Sequence, residues 1–349
     1  MPRLKRVDCS GPGITRRRRG RGFEYLDEAG DRIENPEVIA RIAALAIPPA
    51  WRDVWICAHP MGHIQATGID ARARKQYRYH DRWRERRDAQ KFDEMIAFAR
   101  ALPAMRREVA RDIAKDGMTR ERVLASAVRL LDRGFFRVGG EDYAAENDSY
   151  GLATIHKKHV RLIGDDTLRF DYPAKSGQRR IQSIVDPEVF DVVAALKRRR
   201  GGSPELLAYK DGRRWRDLRS ADINSYVKEV TGGDFSAKDF RTWNATVLAA
   251  VALAVSGPAA QASKTARKRA INRAVKEVAH YLGNTPAVAR ASYIDPRVFD
   301  RFEGGLTIGG VIEHFGDEGD IGSLHGSAED AVLDLIAGDE EAETLEKVA

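Results

Sequence analysis

The chain has 349 residues, 32% charged and 43% hydrophobic, a balance that suits two or three globular domains with a real core and argues against disorder. Its net charge of +7 conceals an asymmetry: residues 316–349 hold eleven acidic side chains against one lysine, leaving +17 on the rest, which points to a polyanionic partner such as nucleic acid. No apolar h-region follows Met1, and the longest largely apolar run, 245–255, is too short to span a bilayer. Cys9 and Cys57 are too few for a zinc site or a disulfide framework, so a reduced, cytoplasmic protein is expected.

In chain order, "RRRRGRG" supplies Arg16, Arg17, Arg18, Arg19 and Arg21. With Gly20 and Gly22 beside them, residues 1–22 read as a flexible basic arm, either a disordered tag or an arm that touches DNA. "FEYLDEAGDRI" reads as a hairpin, with Tyr25 and Leu26 going out, a turn at Gly30 and Asp31, and Ile33 returning. A helix over 36–45 precedes short β segments at 54–57 and 63–67, punctuated by Pro60 and Gly62. "KQYRYHDRW" is a third, and the period of two puts Tyr77 and Tyr79 on one face and Arg78 on the other. Residues 23–90 thus form a small β-rich domain.

The texture changes near Lys91, where two helical patterns appear, closed by Gly117 and Gly134. A β interlude follows, with strands expected at 153–162, 167–172 and 180–185, the last two separated by a turn at Lys175-Ser176-Gly177. Helices over 187–199, 224–231, 237–255 and 264–282 come next, and no fixed-period repeat suggests a solenoid. The fold class is α+β: the β-rich N-terminal domain, then a larger, mainly α-helical domain over 91–315 with an embedded three-stranded antiparallel sheet. Residues 316–349 read as a separate acidic tail with one amphipathic helix around 328–336.

The chemistry begins with exclusions. There is no G-x-x-x-x-G-K-[ST] loop for a nucleoside triphosphate, no H-E-x-x-H, and no tight carboxylate–histidine cluster for two-metal phosphoryl transfer. Arginine, lysine and tyrosine remain. Guanidinium forks match the non-bridging oxygens of a phosphodiester, and tyrosine serves as a nucleophile where cations favour its ionisation. Four stretches supply such groups: "FFRVGGEDY" with Arg137, "FDYPAKSG" with Lys175, "SAKDFRTWNAT" with Arg241, and "GNTPAVARASYIDP" with Asn284 and Tyr293. In the last, Pro286 opens a short helix that Pro296 ends, and Tyr293 stands at its far end. Taken singly, each residue also fits an ordinary role: a surface arginine, a turn lysine, a helix cap, a core tyrosine.

Taken in order, the four stretches closely resemble the type IB DNA topoisomerase family in its compact bacterial and poxvirus form, whose catalytic domain resembles that of tyrosine recombinases. The likeness runs from "GITRRRRGRGFEYLD" to "YIDPRVFDRF", residues 13–302. It implies that Tyr293 is the nucleophile, that Arg137, Arg241 and Asn284 hold the phosphate oxygens, and that Lys175 protonates the leaving 5′-oxygen. Asn284 takes a position that is histidine in the poxvirus form; an amide donates a hydrogen bond but shuttles no proton at neutral pH. The resemblance also implies that Gln76, Tyr77 and Tyr79 face the major groove of a DNA held by a clamp. A site-specific recombinase is the nearest alternative, though such enzymes usually carry H-x-x-R where this chain reads "KDFR", 238–241. A basic nucleic-acid binder with an inert site is the other. The expected protein is a monomer on duplex DNA at the bacterial nucleoid, needing no metal, ATP or small-molecule cofactor.

Overall fold

The computed structural model describes residues 3–260, 263–312, 326–339 and 342–347, and the chain divides into two compact units, Met1–Lys91 and Phe92–Ala349. In the first, strands β1 (Ile14–Arg19) and β2 (Gly22–Leu26) form a hairpin closed at Gly20, whose φ of +57° is a conformation glycine enters without strain. Helix α1 (Pro36–Ala44) starts at Asn35, whose side chain accepts from the N–H groups of Glu37 and Val38. Strands β3 (Arg52–Ile56), β4 (Ile64–Ile69) and β5 (Lys75–Tyr79) complete an antiparallel sheet in the order β2-β1-β3-β4-β5. Ile42 of α1 packs on Ile14, Val54, Ile56 and Ala66, giving this unit its own small core.

The arginine-rich segment is therefore no free arm. Arg16 to Arg19 lie in β1, with backbone partners from Tyr25 back to Gly22. Arg16 donates to the carbonyls of Ile47, Pro48 and Trp51 and lies 4.2 Å over the Phe23 ring, while Arg17 and Arg19 reach Glu24 across the hairpin. Ladder bonds and a cross-strand carboxylate hold what composition alone leaves loose. The hairpin expected over Tyr25 to Ile33 keeps one bridge, Leu26 with Arg32, because Asp27 folds the chain back by accepting from the N–H groups of Ala29 and Asp31.

Helix α2 (Asp81–Ile113) begins well before Lys91 and carries the boundary between the units. The second unit continues with α3 (Arg120–Arg133) and α4 (Glu141–Asn147). Strands β6 (Val160–Ile163), β7 (Thr167–Ala174) and β8 (Gln178–Val185) form the expected three-stranded antiparallel sheet in chain order. β6 is shorter than the pattern suggested. The N–H groups of Leu152 and Ala153 bond instead to the carbonyls of Arg137 and Val138, at 2.8 and 2.7 Å. Helix α5 (Pro187–Arg198) leads to a hairpin that hydrophobic patterning missed, β9 (Ala208–Asp211) with β10 (Arg214–Asp217). Helices α6 (Ser220–Thr231), α7 (Ala237–Ala260), α8 (Lys264–Leu282), α9 (Pro286–Ser292) and α10 (Pro296–Glu303) follow. Phe240 and Trp243 of α7 are fully buried, with the Phe240 ring edge-on to Phe98 at 5.0 Å. The β-rich and helical parts, with the embedded sheet, match the α+β class read from the sequence.

After β11 (Leu306–Thr307) and α11 (Gly309–Ile312), the C-terminal segment corrects a second expectation. It is not a separate tail where described. Helix α12 (Ser327–Ala337) buries Ala328, Ala331, Val332, Leu335 and Ile336 in the second unit's core, and β12 (Glu346–Lys347) pairs with β11. The acidic side chain that goes in with the apolar face is matched: Glu329 accepts from Trp243 Nε1 at 2.8 Å and from Arg106, which also forks onto Asp132. The apolar stripe thus outweighs the acidic composition. Residues 316–325, 340–341 and 348–349 of the expected tail lie outside the described residues.

Candidate active site

Four of the five expected catalytic residues, Arg137, Lys175, Arg241 and Tyr293, line one cavity of about 330 Å³ in the second unit. Asn284 joins them through a hydrogen bond from Arg137 Nη2 to its Oδ1. Each arrives from a different element. Arg137 lies on the extended segment after α3, fixed by the Leu152 and Ala153 bonds and by the approach of two glycines. A Cβ on Gly151 would stand 2.4 Å from Gly139 Cα, and Gly139 itself has a φ of +87°. Lys175 is exposed on the three-residue turn between β7 and β8. Arg241 sits near the start of α7 and is 3% exposed.

The C-terminal end of α8 organises the cations. A helix end leaves carbonyls without intrahelical donors and carries partial negative charge. Here successive carbonyls are met by arginines from elsewhere. Arg180 of β8 donates to His280 O at 2.9 Å and to Tyr281 O; Arg241 donates to Leu282 O at 3.0 Å and to Phe135 O; Arg137 donates to Gly283 O at 3.0 Å. Among the described residues no carboxylate lies within 4.0 Å of any of these three guanidinium groups. Three positive charges held by neutral carbonyls leave their field available to an anion. Arg241 Nε and Asn284 Nδ2, both buried, have no hydrogen-bond partner among the described protein atoms, which suits donors kept for phosphate oxygens.

Tyr293 ends α9, which Thr285 caps and Pro286 opens. The Thr246 hydroxyl of α7 shares its proton between Thr242 O at 2.9 Å and the Tyr293 carbonyl at 3.3 Å, and accepts from Asp295 N at 3.1 Å. Thr246 thereby ties the tyrosine's backbone to the helix that bears Arg241. The side chain is half-buried, and its ring centroid lies 5.3 Å from the Arg241 guanidinium carbon. Burial works to raise the phenol pKa, but the positive charge of Arg241, then that of Arg137, brings it below the ordinary value of 10. Burial in turn pulls Arg241 down, with Arg137 adding to the effect, yet a guanidinium stays charged at neutral pH. Arg180, Thr246 and Asp295 escaped the sequence reading. Only Asp295, in an Asp-Pro pair that caps α10, carries a local signal.

In the first unit, Tyr77 and Tyr79 share a face and stack with centroids 6.0 Å apart, and Tyr77 is exposed. Gln76 points from the opposite side of the pleat, where its amide donates to Asp70 at 2.9 Å, so it does not join the tyrosines. Arg17, Arg18 and Arg19 are exposed on β1, whereas Arg16 is held by carbonyls. Among the described residues no helix is long and apolar enough to cross a membrane, and no three His, Cys, Asp or Glu side chains gather to hold a metal ion.

Comparison with known proteins adds an independent line. Residues 80–303 match the family model described as eukaryotic DNA topoisomerase I, catalytic core, a range that contains all five site residues; residues 22–70 match that of bacterial DNA topoisomerase IB, N-terminal domain. The DNA topoisomerase 1B of Acanthamoeba polyphaga mimivirus is 31% identical over 313 residues, 88% of this chain and 91% of the viral protein. DNA topoisomerase 1 of Mycosarcoma maydis is 25% identical over 176 residues, and that of Schizosaccharomyces pombe 28% over 160; each match covers 46% of this chain but only 17% and 19% of the fungal proteins.

Proposed function

The chain belongs to the type IB DNA topoisomerase family, and on that premise we propose that it nicks one strand of duplex DNA through Tyr293 and reseals it, relaxing supercoils without ATP. The phenol loses its proton to solvent, and Tyr293 Oη attacks the scissile phosphorus. The bond to the 5′-oxygen breaks, that oxygen takes a proton from Lys175, and a 3′-phosphotyrosyl bond remains. Arg137, Arg241 and the Asn284 amide hold the non-bridging oxygens, where charge grows as the pentacoordinate state forms. Asn284 is no base, so the work of readying the nucleophile falls to the neighbouring cations that favour its phenolate. The new phosphodiester conserves the energy of the old one. The broken strand rotates, the 5′-hydroxyl attacks the phosphotyrosyl, and Lys175 regains its proton.

The observation that carries this reading is the gathering of Arg137, Lys175, Arg241 and Tyr293 around one cavity, with no carboxylate beside the arginines among the described residues. Tyr77, Tyr79 and the exposed arginines of β1 would bind the duplex in the N-terminal unit, with the protein acting as a monomer at the nucleoid. The test is plasmid relaxation in EDTA without ATP, beside trapping of the covalent adduct. Wild type is expected to do both, and Tyr293→Phe neither, while binding DNA nearly as well. Retardation of DNA without relaxation by the wild type would leave a binding protein with an inert site.

A further inference from the structure

Arg180 lies outside the cavity lining, yet it spends a long, flexible side chain on the same helix end as Arg137 and Arg241. It sits on β8 opposite Tyr172, five residues beyond Lys175 on the same hairpin. Its guanidinium donates to His280 O at 2.9 Å and to Tyr281 O. Its Cδ and Nη1 also close on Gly283, coming within 3.3 and 3.5 Å of where a Cβ would stand. Fixing an arginine costs rotamer freedom. The His280 side of this helix end is exposed, so water would serve its carbonyl without that cost. A donor sent instead from another strand fastens two pieces of backbone. One is the stem of the Lys175 hairpin; the other runs through Gly283 to Asn284 and on to Tyr293.

We propose that Arg180 is a positioning residue that holds the Lys175 turn in register with the leaving oxygen by tethering β8 to the end of α8. Lys175 and Gly177 of the turn are exposed, so a fastening from beneath acts on the stem below them. Arg180 is not among the residues lining the cavity, and its guanidinium is spent on backbone carbonyls. It acts through Lys175, and a misplacement of about 1 Å at a proton donor costs on the order of 10²-fold in rate.

The proposal rests on the reading of Lys175 as the proton donor, and one set of measurements separates the two. Single-turnover cleavage by the full chain is followed on a duplex with oxygen or sulfur at the bridging 5′-position of the scissile phosphate. A thiolate leaves without protonation. Lys175→Ala is therefore expected to be slow on oxygen and near wild type on sulfur; equal defects on both would overturn the reading of Lys175 itself. With that arm met, Arg180→Ala should lose about 10²-fold on oxygen and less than about 10-fold on sulfur. Arg180→Lys, which keeps one donor, should recover most of the rate. Added to Lys175→Ala, Arg180→Ala should slow oxygen cleavage little further, because both act on one step. Wild-type rates, equal losses on the two substrates, or full additivity in the double variant would each overturn the proposal. If thermal unfolding shows Arg180→Ala to be misfolded, Arg180→Gln is judged by the same oxygen-to-sulfur ratio.

Discussion

Neutralising Arg241 should make Tyr293 a weaker acid by an amount that the geometry sets. The guanidinium carbon lies 5.3 Å from the ring centroid. At an effective dielectric of about 20, a unit charge at that distance favours the phenolate by on the order of 3 kcal/mol, roughly two pKa units. Loss of the side chain would also admit water and relieve some burial, so about one to two units is the expected rise in Arg241→Gln. Glutamine can still donate to Leu282 O or Phe135 O, which limits collapse of the α8 end. The assay is single-turnover cleavage of a short duplex across neutral to alkaline pH. In the wild type the rate should climb to a plateau with a midpoint below 10, since the folded phenol titrates below its ordinary value. In Arg241→Gln the midpoint moves up, and the plateau falls by about 10²- to 10³-fold through loss of a phosphate donor. Arg241→Lys keeps the charge and loses the fork, so its midpoint should stay while its plateau drops. A midpoint unmoved in Arg241→Gln would refute the idea that this guanidinium readies the nucleophile.

Three further outcomes are expected. Asn284→Ala should slow cleavage by something like 10²-fold, and Asn284→His should stay active, because either native-like side chain supplies one donor beside Arg137; equal rates in the two variants would reduce Asn284 to a spacer. Glu329→Ala leaves the Trp243 N–H unpaired and Arg106 with Asp132 as its one carboxylate partner, and should cost about 1–3 kcal/mol in urea unfolding; a loss under about 0.5 kcal/mol would mean that α12 is only loosely seated. His159 is 7% exposed, its Nδ1 accepts from His156 N at 3.1 Å, and burial, aided by His156 and Lys158, pulls its pKa down to about 4. Below pH about 6.5 the unfolded chain takes a proton that the folded one refuses, so stability should fall by up to about 1.4 kcal/mol per pH unit down to pH about 4. His159→Gln should flatten that slope, as measured by urea unfolding at several pH values, and an unchanged slope would mean that other groups dominate acid sensitivity.

Much of the site was legible because its local frames are written in short-range chemistry. Pro286 and Pro296 bracket the helix that ends at Tyr293, Thr285 and Asp295 cap the two helices around it, and the Lys-Ser-Gly turn places Lys175 at a hairpin tip. The period of two put Tyr77 and Tyr79 together and, by the same rule, puts Gln76 on the other side. Where patterning misled, a long-range partner decided the matter. Ala153 reads as the start of a strand and bonds to the Arg137 segment instead, beside Leu152. The first turns of α2, "DRWRERRDAQ", carry almost no apolar stripe, so helical periodicity shows only once Phe92 and Met95 enter the core.

The α+β class, the order of the four candidate stretches, and the residue types able to move a phosphoryl group follow from local propensity and side-chain chemistry. Long-range packing brings Arg137, Arg180 and Arg241 onto consecutive carbonyls of one helix end and lets Thr246 tie Tyr293 to α7. It also decided that the arginine-rich segment is a strand and that an acidic C-terminal helix is core. The physical reason is the same in each case. A guanidinium, a strand edge or an apolar stripe advertises what it can bind, but which partner it meets depends on packing between segments far apart in the chain, and composition carries no record of that.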